Sequence, residues 1–258
     1  MERPVKIAIS GKGGVGKTTI AALVCKAFQE KGYRVLAVDA DPAMGLASAL
    51  GFPPTIPLTP LADMKELIAE RTGVMPGSPA PFFTLNPHVA DLPETLCKEH
   101  NGIKLLVMGS VRQGGGGCLC PEGALLRALV QHLLLSHNEA IIMDMEAGLE
   151  HLGRSTAQAV DRMLIVVEPG RRSIDTALNI KRLAADIKIN RTGLIANKVR
   201  NDTDRQFVTA AAEGWEPLAV FPFDATLLQA DMMRLPPWQF SPTSLEIARA
   251  LADMCDVP

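Results

Sequence analysis

Ile9-Ser10-Gly11-Lys12-Gly13-Gly14-Val15-Gly16-Lys17-Thr18-Thr19 follows an apolar run, Val5 to Ile9, and opens a helical pattern. Gly11 and Gly16-Lys17-Thr18 satisfy the spacing G-x-x-x-x-G-K-[ST]. Residues without side chains let several backbone N–H groups converge on one polyphosphate, so the stretch reads as a phosphate-binding loop. Its expected contacts are Gly11, Lys12, Gly13, Gly14, Val15, Gly16, Lys17, Thr18 and Thr19. Lys17 is expected to reach the outer phosphates and Thr18 to offer its hydroxyl to Mg2+, while the helix beginning at Lys17 places its positive dipole end at the anion. A tight glycine-rich turn has the same composition; the strand before the loop and the helical stretch Thr19 to Gln29 after it favour phosphate binding. Lys12 lies outside the motif and needs a separate explanation.

Outward from the loop, short β-branched runs alternate with helical patterns. Strands are expected at Val5 to Ile9, Arg34 to Val38, Ile103 to Met108, Ala140 to Met143, Met163 to Val167, Gly193 to Ala196 and Leu218 to Phe221. Helices are expected at Lys17 to Glu30, Glu122 to Ser136, Ser173 to Asp186, Asp202 to Glu213 and Ser241 to Met254. Apolar strands joined by helices imply an α/β fold, a doubly wound and mostly parallel sheet with helices on both faces and ligands at strand C-terminal ends. Residues 51–101 carry nine prolines and read as an irregular insertion, with one helix at Leu61 to Arg71 and one strand at Phe82 to Leu85. Nothing in it marks a boundary, so residues 1–258 are expected to form one domain.

Composition narrows the class. Hydrophobic residues make up 47% and charged residues 21%, which excludes a disordered chain. A formal charge of −2 argues against diffuse attraction to nucleic acid. No run approaches the ~18 consecutive apolar residues of a membrane span. Ser244 to Asp256 carries three acids and one arginine, the opposite of a basic membrane-surface helix. Met1-Glu2-Arg3-Pro4 leads straight into the first strand without a secretory leader, and a cytoplasmic location is expected.

Two strand ends deliver carboxylates. Val38-Asp39-Ala40-Asp41-Pro42 suits polar contacts near Mg2+ and a γ-phosphate, with Asp39 placed for the metal's water shell and Asp41 for orienting the attacking water. A helix N-cap with a turn-forming aspartate produces the same letters. Ile141-Ile142-Met143-Asp144 is an apolar strand ending in one acid, the pattern that brings an aspartate to magnesium; Met145-Glu146-Ala147-Gly148 after it reads as a switch segment.

Leu194-Ile195-Ala196-Asn197-Lys198-Val199-Arg200 ends another strand. Asn197 suits the N6/N7 edge of adenine, with Lys198 beside it, whereas Arg200 cannot accept from guanine, so ATP is favoured over GTP. Asn197 also suits a helix cap. Pro222, within Phe221-Pro222-Phe223-Asp224, is placed to flank the base or to form a plain turn.

Five cysteines, an odd number, make a disulfide framework unexpected. Gly114-Gly115-Gly116-Gly117-Cys118-Leu119-Cys120-Pro121 offers two thiols two residues apart, half of a tetrahedral thiolate site for Zn2+ or a site for Ni2+. Cys25, Cys97 and Cys255 fall in a helix, in the insertion and at the C-terminus. A second copy of the chain is the economical source of the other two thiolates, and the glycine run suits close approach of two backbones about a two-fold axis. Two unrelated core thiols beside a glycine loop are the bland alternative. The five histidines and the methionines around Asp144 read as structural.

Together these residues resemble a family. Gly11-Lys12-Gly13-Gly14-Val15-Gly16-Lys17-Thr18-Thr19 is similar to the deviant Walker A loop of the MinD/ParA/nitrogenase-iron-protein ATPases. Gly116-Gly117-Cys118-Leu119-Cys120 and Met143 to Leu152 resemble most specifically the CooC/AcsF group of nickel-insertion ATPases. The resemblance implies a homodimer formed on ATP or metal binding, with Lys12 reaching the partner's nucleotide and Lys17 acting in its own subunit. It implies Ni2+ or Zn2+ held by Cys118 and Cys120 of both chains, and carbon monoxide dehydrogenase/acetyl-CoA synthase as client. An ATP-dependent reductase with an iron–sulfur cluster on the two-fold axis, and a ParA/MinD-like positioning ATPase, are the competing readings.

Overall fold

Each apolar run alternates between two faces once it becomes a strand. In β1 (Lys6–Gly11) Ile7 and Ile9 enter one buried cluster and Ala8 the other; in β2 (Val35–Ala40) Val35 and Ala37 oppose Leu36, Val38 and Ala40. A strand buried on both faces needs helices on both, and the chain supplies them. The computed structural model describes residues 4–78, 82–109, 120–136, 139–147, 160–189 and 191–256.

The further strands are β3 (Lys98–His100), β4 (Ile103–Val107), β5 (Ala140–Met145), β6 (Arg162–Val167), β7 (Thr192–Val199) and β8 (Pro217–Pro222). The eight form one sheet in the order β3-β4-β2-β5-β1-β6-β7-β8, parallel throughout except for the antiparallel edge pair β3/β4. The described helices are α1 (Lys17–Glu30), α2 (Leu46–Ala49), α3 (Lys65–Thr72), α4 (Leu92–Leu96), α5 (Pro121–Ser136), α6 (Arg171–Asp186), α7 (Asp202–Ala211), α8 (Thr226–Met233) and α9 (Pro242–Cys255). On one face α1 packs against α9, with Leu23, Val24, Ala27, Phe28, Leu251 and Ala252 fully buried; on the other, α5 and α6 bury Leu125, Leu129, Ile174 and Ile180. Outside residues 51–101 the seven expected strands and five expected helices are present, in the expected doubly wound arrangement.

The proline-rich stretch differs from expectation in four ways, one being the short helix α4 at Leu92–Leu96. Leu61 to Arg71 is not one helix: a 3-10 turn at Leu61–Asp63 is followed by α3, with Met64 between them at ψ 70°. The Ala62 N–H donates to Met108 O (3.0 Å), so the turn is tied to the end of β4 and the chain must bend before α3 can lie along α5. Phe82 to Leu85 forms no strand; Phe82 is 85% exposed, and Thr84 N–H donates back to Thr72 O (2.8 Å). The extra strand is β3 instead, joined to β4 through Asn101 and Gly102, at φ 50° and 74°. Asn-Gly is the dipeptide that a two-residue hairpin turn with both φ positive demands. The irregular stretch therefore ends at Cys97 and not at Asn101.

Candidate nucleotide site

The loop between β1 and α1 lies at the C-terminal edge of the sheet, where the strand order turns outward on either side of β1. Two of its glycines are required by space as well as by conformation. Gly11 has φ 153° and a Cβ there would collide with Val166 O; Gly16 has φ 96° and a Cβ would collide with the Asn197 side-chain amide. Gly16 is also the N-cap of α1, and no side chain among the described residues caps that helix, which leaves the N–H groups of its first turn directed at whatever fills the loop.

The expected carboxylates converge on Lys17 and Thr18. Asp39 and Asp144 are direct neighbours in the β2/β5 register, and Ile9 is the β1 partner of Asp144. Thr18 Oγ1 donates to Asp144 Oδ2 (2.7 Å) and Lys17 Nζ lies 3.2 Å from Asp41 Oδ2. Asp39 Oδ2 accepts from Leu46 N–H (3.0 Å) and Asp39 Oδ1 from Asp41 N–H (3.3 Å), while Asp41 Oδ1 accepts from Ala43 N–H (2.9 Å). The turn-forming role anticipated as an alternative is thus real, and it coexists with the approach to Lys17.

Burial governs the electrostatics. Asp39 and Asp144 are fully buried. Desolvation pushes the Asp39 carboxyl up to about 6, against the pull of its two backbone donors. It pushes Asp144 up to about 7, assisted by the Asp39 charge and opposed by the Thr18 hydroxyl and Lys17. Among the described residues Asp144 Oδ1 is buried without a hydrogen-bond partner. An orphaned, desolvated carboxylate oxygen beside a threonine hydroxyl and a second aspartate is a hard-oxygen donor set that a divalent cation completes.

Two residues of β7 reach back to the loop. Asn197, buried, donates from Nδ2 to Val15 O (2.8 Å), and Lys198 donates from Nζ to Gly14 O (2.5 Å). Asn197 therefore spends one amide proton on the loop, which leaves its other proton and Oδ1 for a base edge. Pro222 ends β8, exposed, with Phe223 N–H donating to Val199 O (2.9 Å). Arg200 is paired with Asp204 (2.9 Å). Lys12 is half-exposed, and among the described residues its ammonium has no partner.

Cys118, Gly148 and the stretch after it lie outside the described residues. Cys120 immediately precedes α5 and its Sγ accepts from Gly123 N–H (3.3 Å). It is half-buried, and that burial is the main reason its thiol is pushed above the ordinary range. Burial likewise raises Cys97 and Cys255 to about 11, and Cys25 lies fully buried in α1. Among the described residues no three His, Cys, Asp or Glu side chains gather as a metal site.

Sequence reasoning missed two residues. Ser10 Oγ donates to Glu146 O (2.6 Å), tying β1 to the start of the segment after Asp144; a serine inside an apolar strand was the available signal. Glu168, just past β6, pairs with Lys198 (3.0 Å), and no motif marks it.

A strand, a glycine loop, a helix N-terminus and two buried strand-end aspartates define a P-loop nucleotide-binding domain. The CobQ/CobB/MinD/ParA nucleotide binding domain matches residues 6–236, and the chain belongs to that family, in the branch that holds the CooC proteins. It is 45% identical to the carbon monoxide dehydrogenase accessory protein CooC of Rhodospirillum rubrum, over 96% of this chain and 94% of that protein. It is 44% identical to an uncharacterized ATP-binding protein of Methanocaldococcus jannaschii, over 90% of each chain. In fold it is similar to MinD of Aquifex aeolicus in the MinC:MinD cell division complex, with a TM-score of 0.68 at 19% identity over 96% of both chains. Among the described residues no helix is long and apolar enough to cross a membrane.

Proposed function

We propose that the chain is a cytoplasmic, single-domain, ATP-driven metallochaperone that works as a homodimer and assists nickel insertion into carbon monoxide dehydrogenase or acetyl-CoA synthase. The observation that carries this reading is the near full-length similarity to a carbon monoxide dehydrogenase accessory protein. The cysteine pair at Cys118 and Cys120 supports the metal half, and the geometry of the loop supports the ATPase half.

In this reading the N–H groups from Gly13 to Thr19 cradle the phosphates and Lys17 neutralises charge in its own subunit. Asp41, held 3.2 Å from Lys17, is freed to orient water once phosphate takes the lysine. Thr18 would hold Mg2+ directly, with Asp39 and Asp144 in its water shell, and the ion supplies charge neutralisation at the phosphate oxygens. Asn197, Lys198 and Pro222 set the adenine end. Lys12, with no partner among the described residues, extends to the partner's nucleotide and makes closure depend on ATP. Closure brings two Cys118/Cys120 pairs around Ni2+ or Zn2+ as cargo, and hydrolysis loosens them for delivery.

The test is metal content and oligomeric state of the anaerobically purified protein, with and without Mg-ATP. Wild type is expected to hold one nickel or zinc ion per dimer, and Lys12→Gln to remain monomeric with ATP while still binding it. A dimer of Lys12→Gln with undiminished turnover contradicts the trans role. Iron with sulfide and a brown chromophore in place of nickel would make the protein a cluster-bearing reductase.

The two raised carboxylates give a pH signature. Asp39 at about 6 and Asp144 at about 7, against 3.8 for an ordinary aspartate, hold more protons folded than unfolded, so their contribution to stability falls as pH rises from about 4 to 7. Metal binding requires the ionised forms and must expel those protons. Calorimetry of Mg-ADP binding in buffers of different ionisation enthalpy is expected to show net proton release at pH 6.5 and almost none at pH 8.5. Equal values at both would place the cation elsewhere.

A further inference from the structure

Asn197 and Lys198 hold two consecutive carbonyls of the phosphate loop, those of Val15 and Gly14. In a planar trans peptide the N–H points opposite to the carbonyl, so these two bonds turn the N–H groups of Gly16 and Val15 away from β7 and into the loop. The Val15 N–H so turned makes only a long bond across the loop to Lys12 O (3.4 Å), which a phosphate oxygen would replace. Asn197 is buried and confined by Gly16. Lys198 is not confined: its side chain is 39% exposed and its backbone sits at φ 57°, a left-handed conformation that a residue with a Cβ rarely adopts.

What holds the ammonium in place is Glu168, whose Oε2 lies 3.0 Å from Lys198 Nζ. Glu168 is itself fixed, because its N–H donates to the Oγ of Ser173 (3.1 Å), buried in the first turn of α6. A chain of contacts thus runs from α6 through the ends of β6 and β7 to the Gly14 carbonyl. We propose that Glu168 is a positioning residue for nucleotide binding: it holds Lys198 on Gly14 O and so fixes which way the anion-binding N–H groups point. This rests on the nucleotide-site reading above, and Glu168 need not touch the ligand.

The sign of the effect separates this role from simple charge. Glu168 is a negative charge near a site for a polyanion, so by long-range electrostatics alone its removal would tighten ATP binding. Through Lys198 its removal weakens binding, because the freed lysine lets the Gly14 peptide rotate.

The experiment measures KM for ATP and kcat of wild type, Glu168→Gln, Lys198→Met and the double variant, with Kd for a fluorescent ADP and the melting temperature of each. Glu168→Gln is expected to raise KM and Kd about fivefold, the scale of one partly exposed ion pair, with kcat within twofold. In the Lys198→Met background the same change is expected to add nothing. Equal or tighter binding by Glu168→Gln, or full additivity with Lys198→Met, overturns the inference. If Glu168→Gln does not fold, an unchanged KM in Lys198→Met overturns it as well. Failure of wild type itself to bind nucleotide would instead remove the reading beneath it.

Discussion

Asp144→Asn is expected to abolish most Mg-dependent ATP turnover while making the nucleotide-free protein melt at a higher temperature at pH 8. The two effects have opposite signs because the carboxylate is costly where it stands. Asp144 is fully buried, its Oδ1 has no partner among the described residues, and desolvation raises its carboxyl to about 7. Above that pH the empty protein carries an ionised, half-satisfied aspartate next to Asp39. By linkage, removing the charge is worth a few kcal/mol at most, on the order of 1.4 kcal/mol per unit of displacement. Asparagine keeps an acceptor for the Thr18 hydroxyl, which lies 2.7 Å from Asp144 Oδ2, and removes the repulsion with Asp39. Turnover should fall by about 10²–10³, the usual cost of losing one group that stabilises charge in the transition state. Steady-state kinetics and melting curves of the two proteins at pH 8 provide the check. A variant that is both slower and less stable would mean Asp144 is a packing residue; one that keeps its rate would remove it from the site.

That pairing of cost and use explains which parts of the site were legible in the sequence. An apolar strand that ends in an acid is conspicuous because burial and charge oppose each other there, and Asp39 and Asp144 stand out by that contrast. Glycine spacing exposed the loop for a similar reason, since Gly11 and Gly16 occupy places that no Cβ can share. The fold followed from strands buried on both faces, whose runs lack the alternation of a half-solvated sheet. Contacts between distant residues left no such trace. Glu168 is an ordinary polar residue until β6 and β7 bring it to Lys198; Ser10 is marked only by standing in an apolar strand, and its partner Glu146 by nothing. The bend at Met64 depends on the Ala62 bond to Met108 O, a contact across 46 positions that no local pattern encodes. The β3 hairpin is legible in the sequence: Asn101-Gly102, at the end of the proline-rich stretch, is a turn dipeptide.

Replacing both Cys118 and Cys120 by serine is expected to take bound nickel or zinc from one ion per dimer to none under anaerobic reduction, and to leave nucleotide binding by the isolated chain intact. The supply of donors limits the site. Soft divalent ions need about four donors at thiolate strength, and one chain's C-x-C motif gives two. Cys25 lies in the core of α1, and burial keeps Cys97 and Cys255 protonated to about pH 11. Among the described residues no other group of side chains can make up the set. The Cys120 thiol, raised by its own burial, is a poor ligand for a lone chain near neutral pH and becomes a thiolate only where a cation compensates. Metal uptake should therefore release protons and weaken as pH falls. Serine is a sound replacement at position 120, because a hydroxyl accepts from the Gly123 N–H at least as well as the sulfur does at 3.3 Å. The variant should keep its melting temperature, so lost metal cannot be ascribed to a lost α5. Structural thiolate sites are worth roughly 10 kcal/mol or more, so removal of all four sulfurs is expected to push affinity beyond detection. Cys97→Ser, measured alongside by elemental analysis with and without Mg-ATP, should retain the full complement; a double variant that retains one ion per dimer would assign the metal to other ligands.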